Sequence, residues 1–232
     1  MIRSAFSMIF FCVSILFFAL LSMLLSVLPG LGPSSWGLRS FGKVALWVAG
    51  IRLEVIGLEN LNPKKPAIYM ANHSTILDIA ILLAALPVDL RFMFKQSLAY
   101  IPIVGWSMLS TGMIPVKRGA KGPALKSLRK AAKRIKNGVH VIIFPEGTRT
   151  KTGELGELKK GGFLLASLAE VDIIPVHISD TDHVCGRNIP FTKPGTLQIT
   201  IHPVIPHSKE SKAARRQMIQ TVQAQIGNPV RS

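Results

Sequence analysis

His73 and Asp78 stand five residues apart in Ala71-Asn72-His73-Ser74-Thr75-Ile76-Leu77-Asp78, and a histidine beside a carboxylate is a common arrangement for moving protons. The carboxylate would orient the imidazole, set which nitrogen carries hydrogen, and stabilise the imidazolium formed when the ring takes up a proton. In a regular helix this spacing separates two side chains by about 140°, so they can meet only if His73 precedes the helix. Thr75-x-x-Asp78 has the form of a capping box, which predicts a helix from about Ile76 and leaves His73 in the turn before it. The plainer alternative is that Asp78 caps a helix and His73 is a polar turn residue. The two roles are compatible, because the carboxylate has two oxygens.

A second group lies in Val141-Ile142-Ile143-Phe144-Pro145-Glu146-Gly147-Thr148-Arg149, where an apolar run ends in a polar turn. Pro145 ends the run and Gly147 permits close backbone approach. Arg149 offers a planar fork of donors suited to phosphate. Glu146 can hold Arg149 in an ion pair or accept a hydrogen bond from a substrate hydroxyl. Further cations, Lys95 and the Lys117-Arg118 pair, follow two other apolar runs. If those runs are parallel strands, all of these cations share one sheet edge with His73. Several cations around one general base describe a pocket for an anionic substrate whose hydroxyl must lose its proton.

The elements that must carry these residues are legible as alternating short β-rich runs and helical stretches. Strands are expected at Leu53–Ile56, Ala67–Ala71, Phe92–Lys95, Met113–Val116, Val139–Phe144, Ile173–Ile178 and Leu197–Ile201. Helices are expected at Ile76–Leu86, Ile103–Thr111, Pro123–Asn137, Glu157–Glu170 and Ser211–Gly227. That alternation predicts an α/β fold with a mostly parallel or mixed sheet flanked by helices. Sites in such folds sit at the carboxyl ends of strands, where His73 and Glu146 fall. In Pro123–Asn137, Leu125, Leu128, Ala132 and Ile135 form one apolar face. Lys126, Arg129, Lys130, Lys133, Arg134 and Lys136 make the rest strongly basic. That basic side can face anionic headgroups or plain solvent. Ser179–Gly195 reads as a loop.

The chain has 48% hydrophobic and 17% charged residues with a net charge of +16, against about a quarter charged in ordinary soluble domains. The charge points to a polyanionic partner. Residues 5–28 decide which kind, because their only polar side chains are Ser7, Cys12, Ser14, Ser22 and Ser26. A helix of that length rises about 36 Å, enough for a hydrocarbon core of about 30 Å. A phospholipid membrane is therefore the expected partner, not nucleic acid. A signal peptide is the rival reading, but the run is long for one and Leu25-Ser26-Val27-Leu28-Pro29-Gly30 offers no clear cleavage site. After the Pro29–Pro33 break, Trp36 to Ile51 carries Trp36, Phe41, Trp47, Arg39 and Lys43, a composition suited to the headgroup interface. This predicts a membrane-embedded helical hairpin in residues 1–51 ahead of a catalytic domain in residues 52–232. A core helix of the globular domain is the alternative for the second stretch. Cys12 and Cys185 lie in dissimilar surroundings, and no disulfide is expected.

Four ordered blocks carry a family resemblance: Asn72–Asp78, Gly112–Arg118, Phe144–Arg149 and Ile173–Val176, with Phe94–Leu98, Pro102 and Gly105 between the first two. In these the chain resembles the glycerolipid acyltransferase family, most of all its bacterial lysophosphatidic acid acyltransferases. The resemblance implies His73 as general base on an acceptor hydroxyl and Asp78 as its orienting partner. It also implies that Lys95, Arg118 and Arg149 bind the acceptor phosphate, with Glu146, Gly147 and Thr148 shaping that pocket. The family often has an acidic or neutral residue where this chain has Lys117, so Lys117 and Arg118 can share or exchange roles. The implied reaction moves a fatty acyl chain from acyl-CoA or acyl carrier protein to the sn-2 hydroxyl of lysophosphatidic acid. It needs no cofactor or metal, and its place is the cytoplasmic face of a bacterial inner membrane.

Other readings remain. The acceptor can be another lysolipid, such as a lyso-ornithine lipid, and a lipid hydrolase would put water in the acceptor's place. The chain has no Gly-x-Ser-x-Gly elbow. Asp180, Asp182, His183 and Cys185 form the only suggestive metal cluster, and their spacing fits a polar loop better. A non-catalytic membrane-surface binder would account for the charge but not for His73, Asp78, Glu146 and Arg149 all falling at strand ends.

Overall fold

The computed structural model describes residues 13–14, 16–21, 23–24, 35–75, 77–117, 121–150, 154–179, 181, 184, 193–207 and 212–227. All seven expected strands occur: β1 (Ile51–Ile56), β2 (Ile68–Ala71), β3 (Leu90–Lys95), β4 (Ile114–Val116), β5 (His140–Ile143), β6 (Ile173–Ile178) and β7 (Gly195–Ile201). They form one sheet in the order β1-β7-β6-β2-β5-β3-β4. β2 to β6 all run parallel, and β7 turns back antiparallel to β6 with β1 parallel beside it. The sheet is thus mixed and mostly parallel.

Central strands are mostly apolar because both faces are covered, and β2, β5 and β6 are buried at every residue, His140 and His177 included. Alternate side chains serve opposite layers. Tyr69, Ala71 and Ile142 join the layer of α1 (Ser35–Ala49) and α2 (Asp78–Ala85). Ile68, Met70, Val141 and Ile143 join the other layer. That second layer is built by α4 (Lys121–Lys136), α5 (Lys160–Ala169) and α6 (Lys212–Gly227). The short α3 (Val104–Ser110) follows a 3-10 turn, Gln96–Tyr100, beyond β3. On α4, Ala132 and Ile135 are buried as the sequence pattern predicts.

Helix α1 packs closely on α2, since a side chain at Gly42 would come 2.7 Å from the Ala80 carbonyl oxygen. Leu46 and Ala49 are buried in the same layer while Trp47 is 79% exposed. Of the expected N-terminal apolar helix, residues 13–14, 16–21 and 23–24 are described and helical, with the Phe18 ring edge-on to Phe41 at 5.8 Å. Positions 5–12, 15, 22 and 25–28 of that helix lie outside the described residues. Among the described residues no helix is long and apolar enough to cross a membrane.

Topology places the candidate residues. Adjacent strands β2 and β5 leave their carboxyl ends toward opposite faces, β2 into α2 and β5 toward α5. The crevice between two such strands is where open α/β sheets bind ligands. His73 follows β2 and Glu146 follows β5, so both stand at that switch point.

Candidate active site

The turn after β2 brings His73 and Asp78 together. His73 Nδ1 lies 2.7 Å from Asp78 Oδ2, with the histidine side chain 17% exposed and the aspartate 1%. The same Oδ2 accepts the Ser74 and Thr75 amide hydrogens at 2.7 and 2.9 Å. Oδ1 accepts the Thr75 hydroxyl at 2.8 Å. Asp78 is thus a four-donor hub that folds the turn over its own carboxylate. A carboxylate acceptor assigns the hydrogen to Nδ1 and leaves the lone pair on Nε2. Nε2 has no hydrogen-bond partner among the described residues.

The helix begins later than the capping-box pattern predicts. α2 starts at Asp78, not near Ile76, and its N-cap Leu77 makes no side-chain cap bond. Thr75 Oγ1 instead accepts the Leu77 amide at 3.2 Å and donates to Asp78. Asp78 meets the Thr75 amide as a capping box requires, but three more donors draw the carboxylate into the turn and delay the helix.

Loop 144–150 holds His73 from the other side. Glu146, 6% exposed, accepts the His73 amide at Oε1 and the Gly156 amide at Oε2, each at 2.9 Å. The Thr150 amide donates to the His73 carbonyl at 2.9 Å. The imidazole stacks on Phe144 with centroids 3.9 Å apart and planes 13° from parallel. Both Glu146 oxygens are therefore engaged by backbone, and no Glu146–Arg149 ion pair forms. Glu146 anchors the backbone of His73 instead.

The remaining candidates fall as follows. Lys95 ends β3 and pairs in register with Val116, so Lys117 lies one residue further along the same edge. Both are exposed, as are Thr148 and Arg149 in the loop beside His73. Lys95, Lys117 and Arg149 form no ion pair among the described residues. Gly147 has φ +76°, a left-handed turn that suits glycine. Arg118, Asp180, Asp182, His183 and Cys185 lie outside the described residues.

Three contributors were missed in the sequence. Asn72 bonds both to the Ile178 carbonyl (2.9 Å) and to its amide (2.8 Å), strapping the end of β2 to that of β6. An amide side chain just before His73, able to donate and accept at once, was the available signal. Phe144 gave none beyond its place at a strand end. Lys159 folds over Gly147, where an added side chain would lie 2.6 Å from its Nζ, so another cation reaches the loop.

A buried carboxylate bonded to a histidine, with exposed cations at the same strand ends of a mixed, mostly parallel sheet, is what this α/β fold brings together. The family described as Acyltransferase matches residues 52–179, and the chain belongs to that family. It is 32% identical over 209 residues to a 1-acyl-sn-glycerol-3-phosphate acyltransferase of Pseudomonas aeruginosa, covering 86% of this chain and 79% of that protein. With a chloroplastic 1-acyl-sn-glycerol-3-phosphate acyltransferase of Arabidopsis thaliana it shares 36% identity over 164 residues, 68% of this chain and 45% of that one. The chain spans about half the length of the plant and algal relatives it matches. The crystal structure of a 1-acyl-sn-glycerophosphate acyltransferase from Thermotoga maritima superposes with a TM-score of 0.77 and 26% identity. The match covers 97% of this chain and 95% of that one.

Proposed function

We propose that the protein transfers a fatty acyl chain from an acyl thioester, acyl-CoA or acyl carrier protein, to the sn-2 hydroxyl of lysophosphatidic acid, producing phosphatidic acid. The observation that carries this reading is His73, bonded through Nδ1 to buried Asp78 at 2.7 Å with Nε2 left without a hydrogen-bond partner among the described residues. His73 Nε2 takes the hydroxyl proton as the acceptor oxygen attacks the thioester carbonyl. The carbon–sulfur bond breaks, and the same nitrogen returns the proton to the leaving thiolate. Asp78 holds the ring and balances the imidazolium charge. Lys95, Lys117, Arg118 and Arg149 bind the acceptor phosphate, while Glu146, Gly147 and Thr148 set the shape of the loop that receives it. Residues 1–51 anchor the catalytic part, residues 52–232, to the membrane, and α1 seats the anchor on α2. Acyl thioesters are cytoplasmic, which places the catalytic part on that side of the membrane.

The test uses purified wild type and His73→Ala with labelled acyl-CoA or acyl carrier protein and a panel of lysolipids that includes a lyso-ornithine lipid. Diacyl product from wild type, reduced about 10²-fold or more in the variant, is expected. A folded wild type that acylates no acceptor overturns the reading, and a preference for another lysolipid corrects the acceptor.

A further inference from the structure

Between Lys95 and Lys117 the chain runs through residues 96–116 without one acidic, basic or histidine side chain. A run of that composition is normally core. Here Leu98, Tyr100, Ile101, Val104, Trp106 and Leu109 all face outward, Tyr100 by 74% and Trp106 by 53%. Loose packing does not explain this. Ala99 and Met108 pack against the α1–α2 layer, and a side chain at Gly105 would come within 2.4 Å of the Ala99 carbonyl oxygen. The hairpin made by the Gln96–Tyr100 turn and α3 is therefore firmly seated on its inner side and apolar on its outer side. At its bend the β-branched Ile103 has φ +64°, and the Val104 amide reaches back to the Pro102 carbonyl at 2.7 Å. Strain of this kind persists where surrounding structure holds it, often at functional surfaces.

The hairpin leaves the carboxyl end of β3, so it shares the sheet edge of His73. A second exposed aromatic comes to that edge by a different route. β1 runs opposite to β2–β6, so the chain enters it at the edge where those strands end. Trp47, in the last turn of α1 just before β1, therefore belongs to the same edge. Exposed cations accompany both groups: Lys43 on α1, and Lys95 and Lys117 at the two ends of the uncharged run.

We propose that the 96–110 hairpin together with Trp47 is a lipid-docking surface that seats the His73 edge on an anionic phospholipid bilayer. Tyrosine and tryptophan beside aliphatic side chains, rimmed by lysine, match the boundary between acyl chains and headgroups. The lysines complement anionic phosphates, whereas a protein groove that accepted six apolar side chains would need no such rim. The inference rests on the reading of the substrate as a membrane lipid and adds where that lipid enters: a docked hairpin delivers it laterally, with no transfer through water.

The test reads depth, not turnover, so it is independent of whether acyl transfer is detected. In the full chain with C12S and C185S, a single Tyr100→Cys or Lys64→Cys site carries an NBD fluorophore. Lys64 is exposed just before β2, at the opposite edge of the sheet. Vesicles contain phosphatidylglycerol and phosphatidylethanolamine, with or without a shallow nitroxide-labelled lipid. The expected result is a blue shift and nitroxide quenching at position 100 and neither at position 64. A probe at position 100 that keeps its aqueous emission on vesicle-bound protein overturns the proposal. So does a blue shift that needs no vesicles and grows with protein concentration, which would mean that a second copy covers the hairpin.

Discussion

Asp78→Asn separates the charge of the carboxylate from its shape. The carboxylate takes four donors: His73 Nδ1, the Ser74 and Thr75 amides, and the Thr75 hydroxyl. An asparagine oxygen turned to the Oδ2 position still accepts the first three. Its amide then faces Thr75 Oγ1, which can rotate to accept. What disappears is the charge opposite the imidazolium. A unit charge pair about 4 Å apart at an effective dielectric near 20 interacts by about 4 kcal/mol, close to three decades in rate. The neutral hydrogen bond that remains returns about 1 kcal/mol, so kcat should fall about 10²-fold. Stability changes less. Three bonds weakened from charged to neutral lose on the order of 3 kcal/mol, offset because an amide costs less to bury than a carboxylate. At about 2–4 °C per kcal/mol for a chain of this size, melting drops by less than roughly 10 °C. The assay pairs thermal melting with initial rates of acyl transfer well below the transition. Full kcat in a variant that melts as described would refute the base assignment. Activity lost only in step with the unfolded fraction would show that Asp78 merely holds the turn.

Three further outcomes follow from the same geometry. Glu146→Gln must aim an amide at either the His73 or the Gly156 N–H; the unmatched donor costs about 1–3 kcal/mol, and kcat and melting temperature should fall together. Unchanged values of both would remove Glu146 as the anchor of His73. Arg149→Ala should raise KM for lysophosphatidic acid about 10- to 100-fold, the loss of one charge-assisted bond, and leave KM for neutral monoacylglycerol nearly unaltered. An equal rise for both acceptors would take Arg149 out of phosphate recognition. Burial pushes the His140 imidazole below its ordinary value of 6.5, although the Pro63 carbonyl and Asp89 act the other way. The folded ring is therefore neutral while the unfolded one takes a proton, so its contribution is whole above about pH 6.5 and declines as pH falls toward the folded value. An NMR titration placing His140 at or above 6.5 would contradict this.

Much of the fold was legible because its central strands are buried on both faces. Val139–Phe144 and Ile173–Ile178 are apolar but for one histidine each, and β5 and β6 lie within them. The helices were legible from their apolar periodicity, as on α4. Element ends were less so. α2 begins at Asp78 because the carboxylate answers donors in the preceding turn, a competition that local pattern does not reveal.

The sequence by itself determined the alternation of strand and helix and set His73 close enough to Asp78 for the two to meet in the turn where the structure pairs them. Both depend on residues close together in the chain. Tertiary structure alone decided the strand order, the reversal of β7, and the setting of β2 beside β5 at the switch point. It also decided the work of Glu146, whose carboxylate bonds to the His73 amide 73 residues away, and the stacking of Phe144 on the imidazole. Asn72 likewise finds its partner, Ile178, 106 residues along the chain. Such contacts follow from which strands lie side by side, and that is set by how two apolar layers close over a whole sheet.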